Sequence, residues 1–153
     1  MTVANDATAD LLTAIYSTLS GDATLVGMVG TSSLVAGAAK IYARPPAEEN
    51  MPYITFGDVN DVDDSVDISF GQTFLVDITV WQQFQSTGNE GPGFTPLLAM
   101  AARIRALLHE IPMSIANGRN IIVQRIARQR VLEEPDGMSN RAILTLSTII
   151  GHA

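Results

Sequence analysis

The stretch Thr73–Gln83 does most to limit what this chain can fold into. Phe74, Val76, Ile78 and Val80 alternate with Leu75, Asp77, Thr79 and Trp81. A period of two predicts a β-strand, because successive side chains of a strand point to opposite faces of the sheet. The first set reads as core, whereas the second is half polar and yet carries the only tryptophan of the chain. A strand of this kind needs partners, and the C-terminal third supplies them. Strand patterns from about Asn120 to Leu132 and from Asn140 to Ile150 flank Glu133-Glu134-Pro135-Asp136-Gly137. Proline sets φ and glycine supplies a positive φ, so this segment predicts a hairpin. In the last strand Ala142, Leu144, Leu146 and Ile150 are expected to face the core, against Thr145 and Ser147.

Helical spacing appears twice. Leu11, Leu12, Ile15 and Leu19 form one stripe, with Asp6 or Thr8 as candidate caps and Gly21 at the expected end. Asp22 is then placed to cap a short second helix, closed by Gly27 and Gly30. After the glycine-rich stretch 86–93, Thr95-Pro96 opens a longer helix whose buried stripe is expected to be Leu97, Ala101, Ile104, Leu108 and Ile111. Between the helices lie a short strand at 41–44, another at 53–56 that ends near Gly57, and an acidic run, 58–67, expected as a loop. The order helix, strands, helix, hairpin gives an α+β class: a mainly antiparallel sheet of four or five strands with two longer helices packed on one face. At 153 residues, with 46% hydrophobic and 16% charged, one domain over 1–153 is expected.

Composition argues against several activities. The chain has no cysteine and only His109 and His152, so neither a disulfide framework nor a soft-metal site is expected. The acidic run lacks the turn glycine and terminal glutamate of a calcium loop, and the glycines at 88, 91 and 93 lack the Lys-Ser/Thr of a phosphate loop. No nucleophile motif occurs, and His109 at a helix end reads as a cation favoured by the macrodipole. The expectation is no enzyme, no cofactor and no metal. No apolar run reaches the roughly 18 residues of a membrane span, and the first six residues have neither the basic nor the apolar region of a signal peptide.

Charge is sorted along the chain. Residues 1–100 hold twelve acids against Lys40 and Arg44, while residues 101–153 hold seven arginines against four acids, for a net charge of −7. An acidic molecule without a dense basic face disfavours direct nucleic-acid binding. The strand at 120–132 carries apolar residues on both faces, Ile121, Val123 and Val131 on one and Ile122 and Ile126 on the other. With helices for only one side, the second face of the sheet wants a partner, and Leu75 and Trp81 are expected at that interface. The arginine row Arg125, Arg128, Arg130 with Arg141 is expected to meet the acidic half of a neighbouring copy, a pairing that suits a head-to-tail ring.

Taken in order, several segments resemble the small tail-completion, or tail-terminator, family of long-tailed phages and phage-like gene transfer agents. They are Leu11–Tyr16, Ile41-Tyr42-Ala43-Arg44-Pro45-Pro46, Pro52–Phe56, Val76–Trp81, Ile104–Leu108, Val131–Gly137 and Arg141–Leu144. The resemblance implies a homo-oligomeric, hexameric ring at the head-proximal end of the tail of a virion or phage-like particle, assembled in the host cytoplasm. Its implied partners are the tail tube protein and the head connector or adaptor, with DNA passing through the lumen unbound. A head-completion or connector-adaptor ring, or a soluble ligand-binding α+β domain, are the other readings. If the acidic run lines the lumen, Asp58, Asp61, Asp63, Asp64 and Asp67 would repel passing DNA.

Overall fold

A computed structural model describes residues 7–34, 37–63, 71–83, 95–135 and 139–151. The elements in chain order are α1 (Thr8–Ser20), α2 (Ala23–Val29), β1 (Ile41–Tyr42), β2 (Tyr53–Asp63), β3 (Gly71–Gln83), α3 (Thr95–Leu108), β4 (Asn120–Glu133) and β5 (Ser139–Gly151). They build one five-stranded sheet in the order β1-β2-β3-β5-β4. β1 runs parallel to β2 and every other pair is antiparallel. The expected α+β class with a mainly antiparallel sheet is therefore observed, the short β1–β2 pair being the parallel one.

Strand alternation sorts the core. Phe74, Val76, Ile78 and Val80 of β3 and Ala142, Leu144, Leu146 and Ile150 of β5 are fully buried, facing Leu11, Ile15 and Leu19 of α1 and Leu97, Ala101 and Ile104 of α3 within one cluster. All the helices cover this one face, because each supplies a single apolar stripe and no stripe remains for the other side.

The start of α1 is held by a tertiary contact. Its N-cap residue is Ala7, and the Ala7 N–H donates to Gln72 Oε1 on β3 at 2.9 Å. Of the two expected caps, Thr8 is the first helical residue and Asp6 lies outside the described residues. Gly21 ends α1 in the right-handed region (φ −82°), so positive φ does not explain it. A Cβ there would sit 2.8 Å from the Ser17 carbonyl oxygen, and that closeness requires glycine. Asp22 caps α2 as expected, accepting from Leu25 N–H at 2.9 Å.

The same Asp22 carboxylate ties α2 to α3. Arg103 donates through Nε at 2.8 Å and through Nη2 at 2.6 Å, one nitrogen to each carboxylate oxygen. Hydrogen bonds from Arg103, with a smaller one from Leu25 N–H, pull the Asp22 pKa from its ordinary 3.8 down to about 2. A group whose folded pKa is depressed stabilises the fold above its unfolded pKa and loses that contribution as pH falls through the folded value. Asp22→Asn is thus expected to melt at lower temperature near neutrality and to show a flatter dependence of melting temperature on pH between about 4 and 2. Thermal melts at stepped pH check this, and parallel acid limbs in the two proteins would refute it. Asp10, held low by Asn117 and Arg119, contributes to the remaining acid limb.

Three expectations are corrected by the backbone. β2 does not stop near Gly57. It continues to Asp63, with a register shift between Thr55 and Asp58, so the first half of the acidic run is strand and not loop. Gly57 fits at that bulge because a Cβ would lie 3.0 Å from the Ala43 carbonyl oxygen. Ile111 does not extend the buried stripe of α3. Glu110 turns the chain at φ 61° and donates its N–H to the Gln124 carbonyl, leaving Ile111 55% exposed. Finally, register shifts at Ile121/Val123 and Ile126/Arg128 regroup the faces of β4. Ile121 pairs with buried Ile150 and Ile126 with buried Leu146, so these two share the helix side, while Val123 pairs with Ile149 on the other.

Candidate functional site

The side of the sheet without helices is where the interface residues expected from sequence come together. Cross-strand partners define its rows. Asn60, Leu75, Ser147 and Arg125 make one row. Asp58, Asp77, Thr145 and Arg128 make the next, followed by Thr55, Thr79, Ile143 and Arg130. Tyr53, Trp81, Arg141 and Leu132 complete the face. Charge is sorted across it: acids lie on β2 and β3, arginines on β4 and β5.

The arginine row depends on a bulge. Arg125 and Arg128 are three apart and would point to opposite faces of a regular strand. The extra residue between Ile126 and Arg128 rephases β4, so that Arg125, Arg128 and Arg130 stand on one side. All three are exposed, and among the described residues none of them makes an ion pair or a side-chain hydrogen bond.

Three other arginines are engaged within the chain. Arg103 pairs with Asp22, and Arg119, only 4% exposed at its side chain, donates from Nε to Asp10 at 2.9 Å. Arg141 Nε lies 2.7 Å from Glu134 Oε1, and its guanidinium sits 5.3 Å from the centroid of the Trp81 ring. Trp81 is fixed in turn by donating Nε1–H to Thr55 Oγ1 at 3.2 Å and by the Tyr53 ring at 6.3 Å. Of the expected interface residues, Trp81 and Arg141 are thus in contact with each other, Leu75 is 40% exposed on the same face, and the β4 row stands free.

A cleft of about 230 Å³ opens on this face beside the β1 edge, lined by Tyr53, Trp81, Asp58, Asp77 and Arg44 among others. Asp77 accepts from Thr145 Oγ1 at 2.8 Å, and Asp58 lies directly opposite it on β2. The wall formed by residues 43–45 is anchored through Glu49, which accepts from Ser32 Oγ at 2.7 Å and from Tyr42 O–H at 2.6 Å. Those two hydrogen bonds hold the Glu49 carboxyl below the usual carboxylate range.

The candidate lumen residues do not form one patch. Asp58 is on the helix-free face, whereas Asp61 pairs with buried Phe74 and accepts from Gln72 Nε2 at 3.0 Å. Asp63 closes β2, and Asp64 and Asp67 lie outside the described residues. His109, just past the end of α3, has a structural contact: its Nδ1 accepts from Ile126 N–H at 3.1 Å, at the β4 bulge. His152 lies outside the described residues. Among the described residues no group of three potential metal ligands occurs, and no helix is long and apolar enough to cross a membrane.

The model of one family, tail completion protein gp17, matches residues 13–151. The chain belongs to that family. This tail-completion protein also has the fold of a chain in a solved structure titled "Virion of native gene transfer agent (GTA) particle", with a TM-score of 0.79 and 21% identity over 97% of this chain and 100% of the other. No curated protein matches it in sequence. The family is a structural one.

Proposed function

We propose that the protein works as one subunit of a closed ring, hexameric by family resemblance, that caps the tail tube of a phage-like particle and presents a docking face to the head connector. It carries out no catalytic step and needs no cofactor; a ring ends a growing tube because its far side does not repeat the binding surface of the tube subunit. The observation that carries this reading is the helix-free sheet face, with exposed Leu75 and Val123 beside three unpaired arginines. Contiguous half-apolar faces of this kind mark protein contacts. The acidic far end of β2, with Asp61 and Asp63, and the following Asp64 and Asp67, is the part we assign to the DNA passage.

Electron microscopy of particles from cells lacking the gene tests the proposal. Overlong tails, or tails detached from heads, are expected. Tails of normal length on heads that leak or fail to join would favour a connector-adaptor ring instead, and normal infective particles would refute both. Restoring the gene with Asp61, Asp63, Asp64 and Asp67 all changed to Asn is expected to rebuild joined particles that deliver DNA poorly. Normal delivery would remove the lumen assignment.

A further inference from the structure

We propose that the cleft beside β1 receives the β4 arginines of the next subunit, so that Arg128 and Arg130 of one copy seat between Asp58 and Asp77 against the Trp81 and Tyr53 rings of its neighbour. This rests on the ring reading above and supplies its subunit contact.

The acceptor side has an unmet charge. Asp58 and Asp77 are directly opposite on antiparallel strands, where like charges repel. Thr145 satisfies one oxygen of Asp77, and no cation of the described chain pairs with either acid. Arg44 on the rim is exposed and makes no such pair. The walls match the chemistry of a guanidinium, which forks onto carboxylates and stacks on aromatic faces. Trp81 already does this once, holding Arg141 of its own chain over its ring at 5.3 Å.

The donor side has the complementary excess. Arg128 and Arg130 are exposed and unpaired, and Arg128 stands in the same cross-strand row as Asp77 and Asp58. It cannot reach them at home. At roughly 4.8 Å per strand, β4 is about 10 Å from β3 and about 14 Å from β2 along that row. The two patches sit at opposite edges of one face and are different surfaces. Each copy can therefore give to one neighbour and receive from another, the heterologous arrangement that closes into rings.

The test is complementation by charge exchange in cells lacking the gene. The donor variant is Arg128→Glu with Arg130→Glu, and the acceptor variant is Asp58→Arg with Asp77→Asn, in which Asn keeps an acceptor for Thr145. Each variant is first shown to melt like the parent; if the acceptor pair does not, Asp58→Arg alone replaces it. Each alone is expected to reduce joined particles to the level of the deletion. Both supplied together are expected to restore them, because alternating copies regain every contact. Full function of either variant alone, or no recovery from the pair, overturns the pairing and leaves the ring reading standing. Failure of the parent gene's deletion to disturb tails would instead sink the ring reading. Native mass spectrometry of the restored assembly should give an even-numbered ring, and a closed dimer would overturn the head-to-tail geometry.

Discussion

Gln124→Leu is expected to cost the fold about 3 kcal/mol, although the two side chains are close in volume and the site is 96% buried. Gln124 sits in the apolar run Ile121-Ile122-Val123 as a lone amide, 4% exposed. Its Nε2 donates to the carbonyls of Leu108 at 2.8 Å and Ile111 at 2.6 Å, and its Oε1 accepts from Met113 N–H at 2.9 Å. Leu108 ends α3, so its carbonyl has no partner within the helix. Leucine would strand two acceptors and a donor, each worth about 1–3 kcal/mol when buried and unpaired. Water can reach part of the loop beside exposed Ile111, so the sum falls toward the lower end. For a chain of this size that corresponds to a fall in melting temperature of roughly 6–12 °C. Urea unfolding should show the loss as a lower midpoint at unchanged slope. A change under about 1 kcal/mol would mean that these three groups find other partners, and that the amide does not hold the end of α3 to β4.

That amide also shows where sequence reading reaches its limit. The alternation in β3 and β5 is local and unbroken, so their buried faces could be read directly, and all eight expected core residues are buried. β4 and β5 pair antiparallel as expected of a hairpin, with Glu133 opposite Asn140. Bulges broke the pattern elsewhere. Aspartate is a poor strand former, and the shift at Thr55/Asp58 hides the continuity of β2. The three-residue spacing of Arg125 and Arg128 puts them on one face only because β4 is bulged. Long-range polar contacts leave no local trace: Gln72 caps a helix 65 residues earlier, and Arg119 reaches Asp10 across 109. Composition could not separate arginines paired at home from those left free. A polar residue alone in an apolar strand, as at Gln124, was the one available signal of a buried clamp.

The sharpest test of the face assignment uses two adjacent residues. Phe74 and Leu75 are neighbours on β3; Phe74 is fully buried under the helices and Leu75 is 40% exposed on the open face. Phe74→Ala removes the bulk of a ring from the centre of the core and leaves a cavity, a loss of about 3–5 kcal/mol. Against a total stability of about 5–15 kcal/mol, that removes from about a fifth to nearly all of it. Leu75→Ala removes a side chain that already meets water and should change the isolated subunit by less than about 0.5 kcal/mol. Its effect belongs to assembly, where an exposed leucine near Arg125 in the cross-strand row would be covered by the neighbour. Unfolding of the purified chain and counts of joined particles should therefore rank the two variants differently. Phe74→Ala lowers both readouts, the second through loss of folded protein, whereas Leu75→Ala lowers only the second. Equal destabilisation of the isolated chain would mean that β3 is covered on both sides within one subunit, and the open face would no longer be available as the contact on which the ring depends.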